Sequence, residues 1–190
     1  MKDSMQLGKY AQLERERRFL LGSLPPDLSS APHSTIHDRY LHQTRFRLRR
    51  MVASDSTSVQ YKLTQKYLHT PGNFASVVIT NTYLTEQEYR AFETLAADEL
   101  WKDRYRYQSA GWRYSIDVFQ GRLAGLVLAE IEFASDEELS AFMPPAFALA
   151  EVTAEAAFSG GRLCQSSAAD VEAAIAQIRQ RQSAPQVERR

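Results

Sequence analysis

From Thr44 to Val52 the chain reads TRFRLRRMV, with Arg45, Arg47 and Arg49 on alternate positions and Phe46 and Leu48 between them. Successive side chains of a β-strand point to opposite faces, so the segment predicts a strand with one basic and one apolar face. The same period-two sorting recurs elsewhere. Lys62, Thr64 and Lys66 alternate with Tyr61, Leu63 and Gln65, Arg104 and Arg106 flank Tyr105, and Glu130 and Glu132 flank Ile131. Glu14 and Glu16 show the same spacing near the start of the chain. The charges are also sorted by segment, with acids at 14, 16, 117, 130 and 132 and bases at 45–49, 62–66 and 104–106. A merely solvated outer face has no need of that sorting. A sheet closed into a barrel, with a charged lumen and apolar outer walls, satisfies both patterns.

Other segments fill in this architecture. Tyr10–Leu21 reads equally as helix, through its Glu and Arg content and the Glu14–Arg18 spacing, or as strand. Gly22–Pro26 ends that element, and the chain reads as loop to Ser34. Val59–Tyr67 and the β-branched Phe74–Tyr83 are predicted strands, joined to the first by a hairpin turn at Ser54–Ser58. Thr85–Leu100 changes period: Thr85 with Glu88 forms a capping-box pattern, and Tyr89, Phe92, Leu95, Ala96 and Leu100 make a helical stripe. Strands resume at Trp101–Gln108, Gly111–Phe119 and Gly125–Phe133, with Gln120-Gly121 read as a tight link. Ser135–Ala141 reads as a short helix capped by Ser135, Glu151–Phe158 as a last strand, and Ala168–Gln182 as an amphipathic helix. The expected fold is α+β: a predominantly antiparallel eight-stranded β-barrel, forming a tunnel, with flanking helices outside.

A chain of 190 residues with 44% hydrophobic content supports one domain with a substantial core. Lys and Arg together number 23, as do Asp and Glu, so no basic surface marks a nucleic-acid-coating or membrane-coating protein. The lone Cys164 excludes an internal disulfide and reads as a small apolar side chain. Met1–Gln12 lacks a signal-peptide pattern, and no apolar run approaches a membrane span, so a cytoplasmic location is expected. None of the four histidines has metal-site spacing.

Acidic pairs that suit hard divalent cations, facing basic rows that suit phosphates, together imply a metal-assisted polyphosphate site. The ordered motifs then resemble those of CYTH-domain proteins of the triphosphate tunnel metalloenzyme family. Glu14-Arg15-Glu16-Arg17-Arg18-Phe19-Leu20 resembles that family's Glu-x-Glu-x-Lys strand. Tyr40-Leu41 with Arg45-Phe46-Arg47, then Leu63-Thr64-Gln65-Lys66, resemble its Arg-x-Arg and Leu-Thr-x-Lys strands. Lys102-Asp103-Arg104-Tyr105, the Trp112 to Gly121 hairpin, Leu126–Glu132 and Val152-Thr153 complete the series. The resemblance implies a tunnel domain over 1–165, a helix at 166–182 packing on or capping the barrel, and a mobile tail at 183–190.

Carried over by position, the resemblance implies that Glu14, Glu16, Asp117, Glu130 and Glu132 bind Mg²⁺ or Mn²⁺. It implies that Arg18, Arg45, Arg47, Lys66 and Arg104 grip a triphosphate, with Arg18 and Glu16 as catalytic groups. Lys62 and Arg106 join the substrate-binding set because they share faces with those residues. The chain departs from the pattern where Arg18 stands in place of Lys, and where Phe74–Tyr83 carries no charge. The expected activity is hydrolysis of a small triphosphate, inorganic tripolyphosphate first. A non-catalytic polyphosphate- or nucleotide-binding module and an adenylate cyclase of the same family are the alternatives. Neither nucleic acid nor membrane is an expected partner, and self-association as a homodimer stays open.

Overall fold

The computed structural model describes residues 8–183, so most of the expected tail and of the N-terminal stretch read for a signal lie outside the described residues. The strands are β1 (Gln12–Leu21), β2 (His33–Leu41), β3 (Phe46–Ala53), β4 (Val59–Leu68) and β5 (Ser76–Leu84). They continue with β6 (Ala97–Ser109), β7 (Trp112–Phe119), β8 (Val127–Phe133) and β9 (Ala148–Glu151). All pairings are antiparallel in the order β5-β4-β3-β2-β6-β7-β8-β1, and β1 also pairs with β5, which closes an eight-stranded barrel. Closure leaves no free edge along the ring.

β1 is a strand because both its edges are used. Gln12–Arg15 pair with β5, Phe19–Leu21 pair with β9 on the same side, and Arg15–Leu20 pair with β8 on the other. This shared edge explains why the last strand is short and early rather than spanning Glu151–Phe158. Only the end of β1 remains free for it, and the chain then turns into a 3-10 segment at Ala156–Phe158. β2 was not expected as a strand over its whole length, because Asp38 and Arg39 interrupt any apolar alternation. Each of those charges finds a partner across the sheet: Asp38 binds Arg49 on the inner side, and Arg39 binds Glu99 on the other.

The helix at 85 is shorter than its apolar stripe. α1 (Glu86–Glu93) has the full capping box, with Thr85 and Glu88 each accepting from the other's backbone N–H. It stops at Thr94, and Ala97 already pairs with Leu41 of β2. Leu100 therefore belongs to β6, where strand alternation places it with Lys102 and Arg104 rather than on the helical face. The links on either side of β7 also differ from expectation. Ala110 and Gly111 have φ of 49° and 80° and join β6 to β7 as a two-residue turn, the left-handed geometry of a tight hairpin. The 120–126 link is longer, with a 3-10 turn at Gly121–Leu123.

Two apolar clusters cover the outer wall, as alternation requires. Tyr89 of α1 packs on Leu41 and Leu48, with Tyr61, Leu63 and Leu84 around them. Phe142 and Phe147, after α2 (Asp136–Ala141), pack on Phe19, Tyr114, Ile131 and Phe133. The third cluster is different. Leu20, Leu100, Phe119 and Leu128 share strand faces with Arg18, Lys102, Asp117 and Glu130, so they point inward. They pack with Phe158, Leu163, Val171 and Ile178. The last helices, α3 (Gly160–Leu163) and α4 (Ala168–Ser183), therefore stopper one end of the barrel instead of lying on its wall. Each such side chain gains roughly 1.5–3 kcal/mol on full burial. Arg122 ties this stopper to β6 by donating to the Glu99 and Ser166 carbonyls.

The stopper meets the barrel closely at Gly160. A Cβ there would stand 2.0 Å from the Tyr40 hydroxyl oxygen. Gly160→Ala should therefore cost about 1–3 kcal/mol, the range for overpacking a filled site. Chemical denaturation checks this; an unchanged midpoint would show that Tyr40 swings aside freely.

Candidate active site

The barrel encloses a cavity of about 520 Å³ whose charged lining comes from six of its eight strands. Along β1 it receives Glu14, Glu16 and Arg18, and along β8 Glu130 and Glu132. Register explains their proximity, since Glu16 lies directly opposite Glu132, and Arg18 opposite Glu130. The facing wall contributes Arg47 and Arg49 from β3, Lys62 and Lys66 from β4, with Arg45 just before β3. Lys102 and Arg104 of β6 and Asp117 of β7 complete the ring. Of the residues expected at the site, Arg106 alone is outside: it is exposed near the far end of β6 and does not line the cavity.

Inside, acids and bases are interlocked. Arg104 donates through Nε and Nη2 to both oxygens of Asp117 at 2.6 Å, and its Nη2 also reaches Glu130 Oε2 at 2.6 Å. Lys102 Nζ donates to Asp117 Oδ2 at 2.5 Å. Arg18 spans two strands, giving Nε to Glu130 Oε1 at 2.9 Å and Nη2 to Glu16 Oε1 at 3.0 Å. Lys66 Nζ lies 2.9 Å from Glu16 and 3.2 Å from Glu14. Burial alone would raise the Glu130 pKa, but Arg104 and Arg18 overcome it and hold that carboxyl well below its usual range. Asp117 is lowered in the same way, by Arg104 and Lys102 against burial.

Glu132 is the exception. Burial, followed by the charges of Glu14 and Glu16, pushes its pKa up. No cation partners it among the described residues, and a divalent cation there would relieve the repulsion. In donor chemistry Glu14, Glu16 and Glu132 therefore fit Mg²⁺ or Mn²⁺, although among the described residues no three acidic, His or Cys side chains already stand gathered for ligation. Asp117 fits less well, because Lys102 and Arg104 take up both its oxygens at 1% exposure, and Glu16 would join a cation only by giving up Arg18 and Lys66.

The opposite wall is underpaired in the reverse sense. Burial and the neighbouring Arg49 and Arg47 push Lys62 down to about 8. Lys62 is cationic below that pH and neutral above it. In the free protein, affinity for a polyanion should thus fall by roughly threefold to tenfold as pH rises through the Lys62 transition. Calorimetric titration of tripolyphosphate at constant ionic strength and without divalent cations reads this directly. A flat profile that matches Lys62→Met would remove Lys62 from the binding set.

Sequence reasoning missed three lining groups, Tyr40, Lys102 and Thr153, and the partner role of Asp38 behind the lining. Lys102 was findable, since it shares the alternation of Arg104. Burial lowers it to about 8, aided by Arg104 and opposed by Asp117. The Tyr40 hydroxyl is pushed by burial up to about 12 and so stays protonated. Thr153 accepts a hydrogen bond from the Arg18 backbone N–H at 3.0 Å, a contact no local pattern signals. Among the described residues no helix is long and apolar enough to cross a membrane.

No family model matches the chain. It is 26% identical over 164 residues to an inorganic triphosphatase of Nitrosomonas europaea, covering 80% of this chain and 97% of that protein. A solved inorganic triphosphatase structure superposes with a TM-score of 0.56 at 22% identity, over 80% of this chain and 95% of the other. A second, of a hypothetical protein, gives 0.56 at 24% identity over 81% and 99%. With the barrel closed by β1 against β5 and its lumen lined by ordered acids and bases, the chain has the CYTH, or triphosphate tunnel, fold.

Proposed function

We propose that this chain is a metal-dependent hydrolase of small triphosphates, with inorganic tripolyphosphate as its first substrate. The observation that carries the reading is the meeting of two charge sets in one cavity. Arg45, Arg47, Lys62 and Lys66 form a phosphate-receiving wall, and Glu14, Glu16 and Glu132 form an acidic wall in which Glu132 has no cation partner among the described residues. Similarity to an inorganic triphosphatase over nearly its full length supports the same reaction class.

In this reading the guanidiniums donate to phosphate oxygens as planar forks, and the lysines add point charge. Glu14, Glu16 and Glu132, with Glu130 behind them, would hold Mg²⁺ or Mn²⁺. When bound, such a cation neutralises phosphate charge and lowers the pKa of a water molecule. Arg18 faces the negative charge that develops on the leaving phosphate, and Glu16, steadied by Arg18 and Lys66, orients the attacking water. The apolar stopper keeps bulk water from one end of the cavity.

The test is phosphate release from tripolyphosphate, ATP and thiamine triphosphate, each with Mg²⁺, with Mn²⁺ and with EDTA. Metal-dependent release that EDTA abolishes, highest with tripolyphosphate, is expected. Cyclic product without phosphate release would indicate a cyclase. Tight tripolyphosphate binding without turnover would indicate a binding module, the reading that Arg18 and the uncharged β5 wall favour.

A further inference from the structure

The phosphate-receiving wall contains a carboxylate that charge sorting by strand does not anticipate. Asp38, on β2, is 1% exposed and lies opposite Arg49 of β3. Its Oδ1 accepts from Arg49 Nε at 2.6 Å and its Oδ2 from Arg49 Nη2 at 2.7 Å. That bidentate fork spends both oxygens on one arginine. Arg49 is itself buried.

Arg47 shares the inner face of β3 with Arg49, yet its situation differs. Its Nε lies 3.7 Å from Asp38 Oδ1, beyond hydrogen-bond reach. That Nε is buried and has no hydrogen-bond partner among the described residues. Its Nη2 makes a long contact to Thr64 Oγ1, at 3.4 Å, and the Tyr40 hydroxyl, opposite it on β2, stands beside the guanidinium. A buried donor without a partner is costly, and it lines the cavity where a polyanion would sit. Burial would raise the Asp38 pKa, but Arg49 and Arg47 keep the carboxyl ionised, so the fork persists across the working pH range.

We propose that Asp38 is a positioning residue for triphosphate binding: it commits Arg49 to a fixed ion pair and thereby leaves Arg47 as the guanidinium that receives phosphate oxygens. This rests on the functional reading above. It divides the two inward arginines of β3 into a scaffold, Arg49, and a donor, Arg47. It also means that Arg49, although it lines the cavity, contributes field rather than contact.

The experiment compares Arg49→Gln, Asp38→Asn and the double variant, with circular dichroism confirming the fold and calorimetry giving the tripolyphosphate Kd. In Arg49→Gln the released Asp38 captures the nearby Arg47, and binding should weaken about tenfold or more. In the double variant Arg47 is freed again, and affinity should return to within about threefold of wild type. Asp38→Asn alone releases Arg49 into the cavity and should bind more tightly than the double variant, an independent check if Arg49→Gln does not fold. A merely structural pair would shift the melting temperatures but leave the Kd values alike. Equal Kd in Arg49→Gln and the double variant, with wild type binding well, would overturn the positioning role alone. A wild-type protein that binds no tripolyphosphate would overturn the functional reading and this role with it.

Discussion

Arg104→Met is expected to destabilise the protein by about 3 kcal/mol at neutral pH and to abolish turnover. Arg104 is the common partner of Asp117 and Glu130, and its three short hydrogen bonds are the densest in the cavity. Asp117 is 1% exposed, so its charge has little access to water. Lys102 would still pair with Asp117 and Arg18 with Glu130, which keeps the penalty to the lower part of the range for breaking a buried ion pair. The penalty should also depend on pH in a definite sense. Both carboxyls sit below their ordinary values of 3.8 and 4.5 in the folded protein. The stabilisation they provide is complete above those values and lost as pH falls through the lower folded ones. Wild type and variant should therefore converge in stability on acidification. A deficit that is the same at about pH 7 and about pH 3 would show that Arg104 acts by packing its stem rather than by its charge.

Much of the barrel was legible because period two is a strong signal wherever charges and apolar residues strictly alternate. β3, β4, β7 and β8 announce themselves in that way. What failed was local pattern set against tertiary demand. The helical stripe through Leu95, Ala96 and Leu100 is real in spacing. Residues 97–105 show no clean alternation of their own, and pairing with β2 on one side and β7 on the other outweighs one more helical turn. β2 was invisible for the opposite reason: its charges are satisfied by Arg49 and Glu99, which lie on other strands, and by the Glu93 and Leu95 carbonyls at the end of α1. The role of α4 was equally out of reach, since amphipathicity shows that a helix has a buried face but not what that face meets.

The site divides along the same line. Alternation placed Glu14, Glu16, Arg47, Lys62, Lys66, Arg104, Asp117, Glu130 and Glu132 on one side of the sheet, and the cavity lining contains all of them. Alternation cannot say where a strand leaves the lumen. Arg106 keeps the parity of Lys102 and Arg104, yet stands exposed toward the end of β6. Nor can it say how charges pair. The acids read as a single metal-holding group split here: Asp117 is enclosed by bases, while Glu132 stands against Glu14 and Glu16.

That pairing bears directly on Arg18, the position at which the resembling family carries Lys. Its guanidinium reaches Glu130 through Nε and Glu16 through Nη2, two nitrogens held apart in a rigid plane. A lysine presents all its donors from one atom on a flexible stem and cannot reproduce both bonds in that geometry. Arg18→Lys is therefore expected to lower turnover by roughly 10-fold to 100-fold, with a stability loss of about 1–2 kcal/mol from the forfeited charged hydrogen bond. The fold should survive, because the Arg18 backbone still holds Thr153 and Val152 in place. Steady-state kinetics on tripolyphosphate with Mg²⁺ and with Mn²⁺, alongside a denaturation curve, decide the matter. Turnover preserved or raised in Arg18→Lys would mean that the cavity accepts the lysine geometry and that the bridge between β1 and β8 is dispensable. A fall in turnover with unchanged tripolyphosphate affinity would place Arg18 at the charge that develops during reaction rather than at the bound substrate.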